Sequence, residues 1–287
     1  MHLSNCNVLV TGADGFIGRN LKLRLEESER FSVLTFVRGD DVANLPDLLA
    51  RVDAVVHLAG ESRPSDDASF FEANVGLTRQ FCEALRSEYF NTGRRIPILL
   101  ASSTQVNQDN EYGITKLEAE REVEKLVLDT GHSAKIFRLP GVFGKWCRPN
   151  YNSVVATFCY NLARGLPITV HDPNAQIKLV YVDDVVSTFI KCLEESESGV
   201  SFGSVEPEYD LTVGQLVDQI SAFDDCRRSL ICERVGTGLV RALYATYISY
   251  LPNEKFSYSL PDRVDERGRV VEVLKTRDAG QFSFFTA

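Results

Sequence analysis

A strand, a glycine-rich turn and a helix follow one another without interruption at the start of the chain. Residues 7–11 are β-branched and aliphatic, Thr11-Gly12-Ala13-Asp14-Gly15-Phe16-Ile17-Gly18 is the turn, and helical patterning covers 20–29. In that context glycines let backbone amides approach a pyrophosphate at the amino end of a helix. The rhythm then repeats. Strand-like runs at 32–38, 54–58, 98–102 and 135–138 alternate with helical patterns at 42–51, 70–87, 112–130 and 154–164. Strands apolar on both faces and joined by helices predict a parallel sheet covered on both sides, with its ligand site beyond the carboxyl ends of the strands. The fold class expected is therefore α/β, a Rossmann-like doubly wound parallel sheet. Only about fifteen residues separate Arg38 from Asp53, room for one helix, so one strand of the usual first half is expected to be missing.

The chain has 287 residues, 44% hydrophobic and 25% charged, a balance that excludes disorder and supports one continuous domain or two smaller ones. Lys and Arg total 31 against 40 Asp and Glu, and the net charge of −9 argues against nucleic acid and anionic membrane surfaces as partners. The first residues leave no room for a secretory signal, and no stretch reaches the roughly 18 apolar residues of a membrane span, so a cytoplasmic protein is expected. Seven cysteines are scattered without a Cys-x-x-Cys pair, and His171 beside Asp172 lacks a third ligand, so no metal site is predicted. After residue 251 the character changes to turn signals at 265–268 and 278–280 around strand-like 269–276 and apolar 281–287. The predicted organisation is residues 1–251 as a dinucleotide-binding domain with a small substrate-binding subdomain, and 252–287 as a linker and short β tail.

Two further features carry chemistry. Tyr112 and Lys116 are four apart, one above the other on a helix face. A fixed ammonium there is expected to lower the tyrosine pKa, so that the phenol delivers a proton to a carbonyl oxygen while a nicotinamide delivers hydride. Ser103, at the end of the strand 98–102, is placed to hydrogen-bond the same oxygen, with adjacent Thr104 as an alternative. Arg38 closes the second strand, where a basic residue holds a 2′-phosphate, which favours NADPH over NADH. Beyond the strands, Lys145, Trp146, Arg148, Asn150, Tyr151 and Asn152 combine cations, rings and amides suited to a nucleotide diphosphate.

The Gly-x-x-Gly-x-x-Gly spacing, with Ser103, Tyr112 and Lys116 in that order, resembles the extended short-chain dehydrogenase/reductase family. The resemblance implies the catalytic Ser/Thr, Tyr and Lys roles for those three residues. It implies dinucleotide contacts at Gly12, Asp14, Gly15, Phe16, Ile17, Gly18, Arg38, Leu58, Ala59, Gly60, Asn74, Lys116 and Pro140, and substrate contacts at Thr104, Lys145, Arg148, Asn150 and Asn152. In it His57 is a buried strand residue and Asn74 braces the active-site backbone. Only eight residues separate Ser103 from Tyr112, which implies a more open site on that side, and Gly141 stands where an asparagine is common.

Nearly the whole chain further resembles the bifunctional capsule-precursor reductase and epimerase enzymes, on residues 144–153, 247–252 and 256–258. That resemblance implies an NADPH-dependent reduction of the C4 ketone of a UDP-2-acetamido-2,6-dideoxy-hexos-4-ulose, by a homodimer. It also implies that 257–287 is only the beginning of a cupin, with no histidine after His171 to bind its metal, hence a truncated chain with an exposed apolar end at Phe282, Phe284 and Phe285. Two other readings compete: an epimerase or dehydratase that retains NAD, opposed by Arg38 and by the absence of a carboxylate at Gln105 and Val106, and a catalytically silent dinucleotide sensor.

Overall fold

The apolar runs become strands of a single parallel sheet because both of their faces are covered. In the computed structural model, which describes residues 5–61, 71–195 and 197–286, β1 (Cys6–Thr11) is flanked by β2 (Phe31–Phe36) and β3 (Ala54–His57). β4 (Ile98–Ser103), β5 (Ala134–Leu139) and β8 (Val200–Gly203) complete a six-stranded sheet of order β2-β1-β3-β4-β5-β8. No strand lies beyond β2 in that order, the expected shortening of the first half. The order reverses direction between β1 and β3, and the crevice at such a switch point is where α/β sheets bind ligands.

The chain divides into two compact units, Met1–Val142 with Val182–Glu208, and Phe143–Tyr181 with Tyr209–Ala287. In the first, alternate side chains of each strand serve opposite faces. Leu9, Val55, Ile98, Leu100 and Ile136 meet Leu45 and Leu49 of α2 (Leu45–Leu49), Phe81 and Leu85 of α3 (Leu77–Thr92), and Val123 and Leu126 of α4 (Glu111–Thr130). The other face is covered by α1 (Phe16–Glu26) and α6 (Val182–Leu193), where the Phe137 and Phe189 rings lie 4.9 Å apart. Asp183 and Asp184 occupy the first turn of α6, favourable against the positive end of the helix dipole.

The second unit begins within β6 (Gly141–Phe143). It contains α5 (Val154–Ala163), an antiparallel pair of β7 (Gln176–Tyr181) and β9 (Tyr209–Thr212), and helices α7 (Val213–Ser229) and α8 (Gly238–Ser249). The Thr212 and Gln215 capping box starts α7.

Several expectations are corrected. Helix α1 starts at Phe16, not at 20, because Gly18 is held by packing: a Cβ there would lie 2.2 Å from the Gly12 carbonyl oxygen. Strand β2 stops at Phe36, so Arg38 lies two residues past it rather than closing it. The pattern at 42–51 divides into a 3-10 turn (Val42–Asn44) and the short α2. That at 70–87 becomes a π-helical turn (Glu72–Gly76) followed by α3, and residue 70 lies outside the described residues. The tail forms three strands instead of two, β10 (Asp262–Asp265), β11 (Gly268–Lys275) and β12 (Gln281–Thr286), in an antiparallel sheet of its own. Residue 287 lies outside the described residues. Phe282, Phe284 and Phe285 are exposed on β12, the edge strand.

Candidate active site

Each parallel strand ends at the crevice, and its last residue supplies either a polar group or a turn. Thr11 ends β1 opposite His57, which ends β3. Between them runs a chain of hydrogen bonds with one consistent direction. The Leu58 and Ala59 amides donate to Thr11 Oγ1, both at 3.2 Å, and Thr11 Oγ1 donates to His57 Nδ1 at 2.8 Å. His57 Nε2 then donates to Thr78 Oγ1 at 3.0 Å, and Thr78 Oγ1 to the Asn74 carbonyl at 2.6 Å. This polarity requires neutral imidazole. Burial, reinforced by nearby Lys116, lowers the His57 pKa to about 3, and the ring is stacked on Phe81 at 4.9 Å. His57 is thus a buried strand residue, as its surroundings predicted.

The glycine loop closes over this brace. Gly12 has φ +67, and a Cβ on it would meet the Ala59 amide nitrogen at 2.8 Å. Gly15 is the N-cap of α1, no side chain caps that end, and its first turn holds no acid. A cradle too tight for side chains, opening onto uncapped helix amides, fits a pyrophosphate. Phe16, Ile17 and Gly18 form the first turn of α1 and Asp14 is exposed in the loop. Leu58 and Ala59 contribute backbone to the same turn, and a Cβ on Gly60 would meet Asn74 Oδ1 at 2.7 Å.

Asn74 sits in the π-helical turn and ties three segments together. Its Oδ1 accepts from the Glu61 amide at 2.9 Å, while Nδ2 donates to the Glu61 carbonyl at 3.0 Å and to Thr115 Oγ1 at 3.2 Å. Glu61 in turn forms an ion pair with Arg38, whose side chain is 86% exposed.

Helix α4 brings the phenol and the ammonium to this place. Asn110 caps it through the Gly113 amide at 2.8 Å, and a Cβ on Gly113 would fall 2.1 Å from the Gln105 carbonyl oxygen. Glycine is therefore what lets the first turn of α4 press against the 3-10 turn (Thr104–Asn107) capped by Ser103. Buried Ser103 is hydrogen-bonded to Tyr112, whereas Thr104 is exposed. Lys116 is 8% exposed, and its Nζ donates to the Ala101 carbonyl at 2.7 Å.

The electrostatics differ from the expectation. Burial raises the Tyr112 pKa, only partly opposed by the Ser103 hydrogen bond, so the phenol is not acidified here. Burial penalises the phenolate, and the Lys116 ammonium is held by the Ala101 carbonyl. Burial also lowers Lys116, to about 8, against the upward pull of Glu120. A phenol that keeps its proton at neutral pH is suited to donating it.

The first unit thus gathers Ser103, Tyr112, Lys116, Asn74, Gly60 and the glycine loop, with Pro140 following β5. The other candidates lie in the second unit. There Lys145 lies over the Trp146 ring at 5.3 Å, and Arg148 over Tyr151 at 4.9 Å. The Asn150 amide donates to Thr157 Oγ1 at 3.0 Å, and Asn152 is exposed. Among the described residues no three His, Cys, Asp or Glu side chains cluster as a metal site would require, and no helix is long and apolar enough to cross a membrane. Sequence reasoning missed Thr11, Thr78, Thr115 and Glu120. Glu120 repeats the spacing of Tyr112 and Lys116 by another four residues, a signal that was there to be read.

A profile of the NAD dependent epimerase/dehydratase family matches residues 8–206. A UDP-2-acetamido-2,6-beta-L-arabino-hexul-4-ose reductase of Pseudomonas aeruginosa is 51% identical over 280 residues, 98% of this chain and 74% of that protein. The crystal structure of the capsular polysaccharide assembling protein CapF from Staphylococcus aureus superposes with a TM-score of 0.86 at 38% identity, covering 97% of this chain and 75% of that one. A UDP-glucuronic acid 4-epimerase from Bacillus cereus, in complex with NAD, shares the fold at 18% identity and a TM-score of 0.70, covering 85% of this chain and 96% of that one.

Proposed function

This chain belongs to the NAD dependent epimerase/dehydratase family, and within it we propose a nucleotide-sugar reductase. The reaction is the NADPH-dependent reduction of the C4 ketone of a UDP-2-acetamido-2,6-dideoxy-hexos-4-ulose, in the cytoplasm, on the way to a capsule or O-antigen sugar. The observation that carries it is the hydrogen-bonded pair of hydroxyls, half-buried Tyr112 and buried Ser103, together with an uncapped glycine-lined helix end, in a chain half identical to a protein named for this reduction.

The dinucleotide, when bound, supplies the hydride. The amino end of α1 with Gly12, Gly15 and Gly18 would hold its pyrophosphate, and Leu58, Ala59, Gly60, Asn74 and Pro140 would contact the rest of it. Tyr112 gives its proton to the C4 oxygen as negative charge develops there, and Ser103 holds that oxygen in line. The fixed Lys116 charge favours the phenolate that results and so lowers the barrier to proton release. Within the second unit, Lys145 and Arg148 are proposed for the diphosphate of the substrate, with Asn150 and Asn152 as its polar contacts, and within the first unit Thr104 is proposed as a further substrate contact next to Ser103.

Reduction predicts that mixing the protein with the 4-keto UDP-sugar and NADPH consumes one NADPH per alcohol formed, followed at the absorbance of the reduced cofactor. Isomerised product with NADPH unspent would replace this reading with an epimerase, and binding without product would make the protein a sensor.

Arg38 is the group proposed to select NADPH. Its partner Glu61 is a rival for it, but the Arg38 side chain is itself largely exposed, so solvent screens the pair and leaves the guanidinium open to a 2′-phosphate dianion. Arg38→Asp should lower the NADPH over NADH preference in kcat/KM by about tenfold or more. An unchanged ratio removes Arg38 from this role.

Residues 252–287 are proposed as the opening of a second, cupin-like β domain, and the active form as a homodimer. The antiparallel sheet of β10, β11 and β12, bonded to residues 230–232 through Lys275, and its exposed phenylalanines support this reading.

A further inference from the structure

Lys116 is a buried cation, and a buried cation needs compensation. Glu120 is placed to give it. It follows Lys116 by one turn of α4 and is 1% exposed. Its carboxylate accepts from Arg138 of β5, Nε at 3.1 and 3.2 Å and Nη2 at 2.7 Å, and from the Ser102 hydroxyl of β4. Ser102 and Arg138 face each other in register, immediately before Ser103 and Leu139. The cluster therefore ties the helix that carries Tyr112 and Lys116 to the strand that carries Ser103.

A neutral side chain could tie these elements equally well. A carboxylate adds a field, and buried charges one helical turn apart act strongly on each other. We infer that Glu120 is a positioning residue for the reduction, which keeps Lys116 in place and in its ammonium form one turn from Tyr112. The inference rests on the reductase reading above.

The charged and titratable groups around Lys116, among the described residues, are few. On α4 they are Tyr112, which keeps its proton, and Glu120. On β3 there is His57, which stays neutral. On β5 there is Arg138, which is paired with Glu120 and is itself raised by that bond, with a smaller contribution from Glu124. Gly60 and Asn74 approach from the turn after β3 and the π-helical turn, and carry no charge. Glu120 is therefore the one neighbour in this set that favours the ammonium, in line with its upward effect on the Lys116 pKa.

The test compares the full chain with Glu120→Gln, and with Glu120→Gln/Arg138→Gln, which leaves an amide pair and no unpaired guanidinium. Two quantities are read: the pH dependence of kcat with NADPH and the 4-keto UDP-sugar, and the titration of Lys116 by NMR of lysine labelled with 13C at Cε, assigned with Lys116→Met. The wild-type alkaline limb is expected near pH 8, the value burial and Glu120 together set for Lys116. In Glu120→Gln the limb and the titration should move down by about one unit or more, a roughly tenfold loss of kcat above pH 8 with little loss near pH 6, and in the double variant, which also removes the Arg138 cation, they should move down by less. A uniform fall in kcat at every pH, with the limb and titration in place, reduces Glu120 to a structural tie and overturns the inference. A wild type without turnover defeats the reductase reading instead, and the titration alone then decides whether Glu120 governs the charge of Lys116.

Discussion

Tyr112→Phe is expected to lose about 10²- to 10⁴-fold in kcat while NADPH binds within a factor of about three of wild type. The substitution removes one oxygen and keeps the ring. The start of this helix rests on Gly113, the Asn110 cap and the Thr115 link to Asn74, contacts made by other residues. What is lost is the proton that the phenol holds beside Ser103 for the forming alkoxide. Steady-state kinetics at saturating keto-sugar, with NADPH affinity from fluorescence titration, separates the two effects. A kcat within threefold of wild type would mean that another group donates the proton, and the role assigned to Tyr112 would fall.

Gly12→Val should weaken NADPH binding by about 100-fold, equivalent to ~2.7 kcal/mol, while the protein still folds. Two physical terms act together. Gly12 has φ +67, a left-handed conformation that costs an L-residue about 1–2 kcal/mol and a β-branched one more. The new Cβ would also meet the amide nitrogen of Ala59 at 2.8 Å and its Cα at 2.9 Å. These are backbone atoms fixed by Thr11, so they cannot rotate aside as a side chain would. The loop itself has to lift, which carries the amides of α1 away from the pyrophosphate. Calorimetric titration with NADPH, beside a circular dichroism spectrum matching wild type, reads the effect directly. Undiminished affinity would place the pyrophosphate elsewhere.

The fold was readable where local chemistry and global packing demanded the same residues. The strands at 7–11, 54–58 and 98–102 are apolar because both faces of the sheet are covered, and the missing strand followed from the short stretch between Arg38 and Asp53. Boundaries were harder. Propensity places the start of α1 after its glycines, yet contact with Gly12 makes Gly18 an internal helix residue, a tertiary fact with no local signal. The extra tail strand β10 is polar, Asp262-Arg263-Val264-Asp265, and fully exposed, so nothing in its pattern marks a strand until β11 pairs with it.

The site was legible as a set of residue types, less so as an electrical environment. Spacing put Tyr112 and Lys116 on one helix face, but it carries no information about burial, and burial decides the direction in which the phenol shifts. It likewise hid the rivalry between Glu61 and any phosphate for Arg38, because 23 residues and a strand separate the two side chains. Glu120 stands in the same repeat of four, with no pattern that separates it from an ordinary surface acid of a long helix. Only the sheet behind it makes it otherwise.

The hydrogen-bond chain through His57 has one more consequence. Because folding withholds from this imidazole the proton that it would accept in the open chain near pH 6.5, the unfolded form takes up more protons than the native one between there and about pH 3. Mild acid therefore loosens the molecule from its centre. As the pH falls below 6.5 this residue draws down conformational stability from beneath the floor on which the coenzyme would rest.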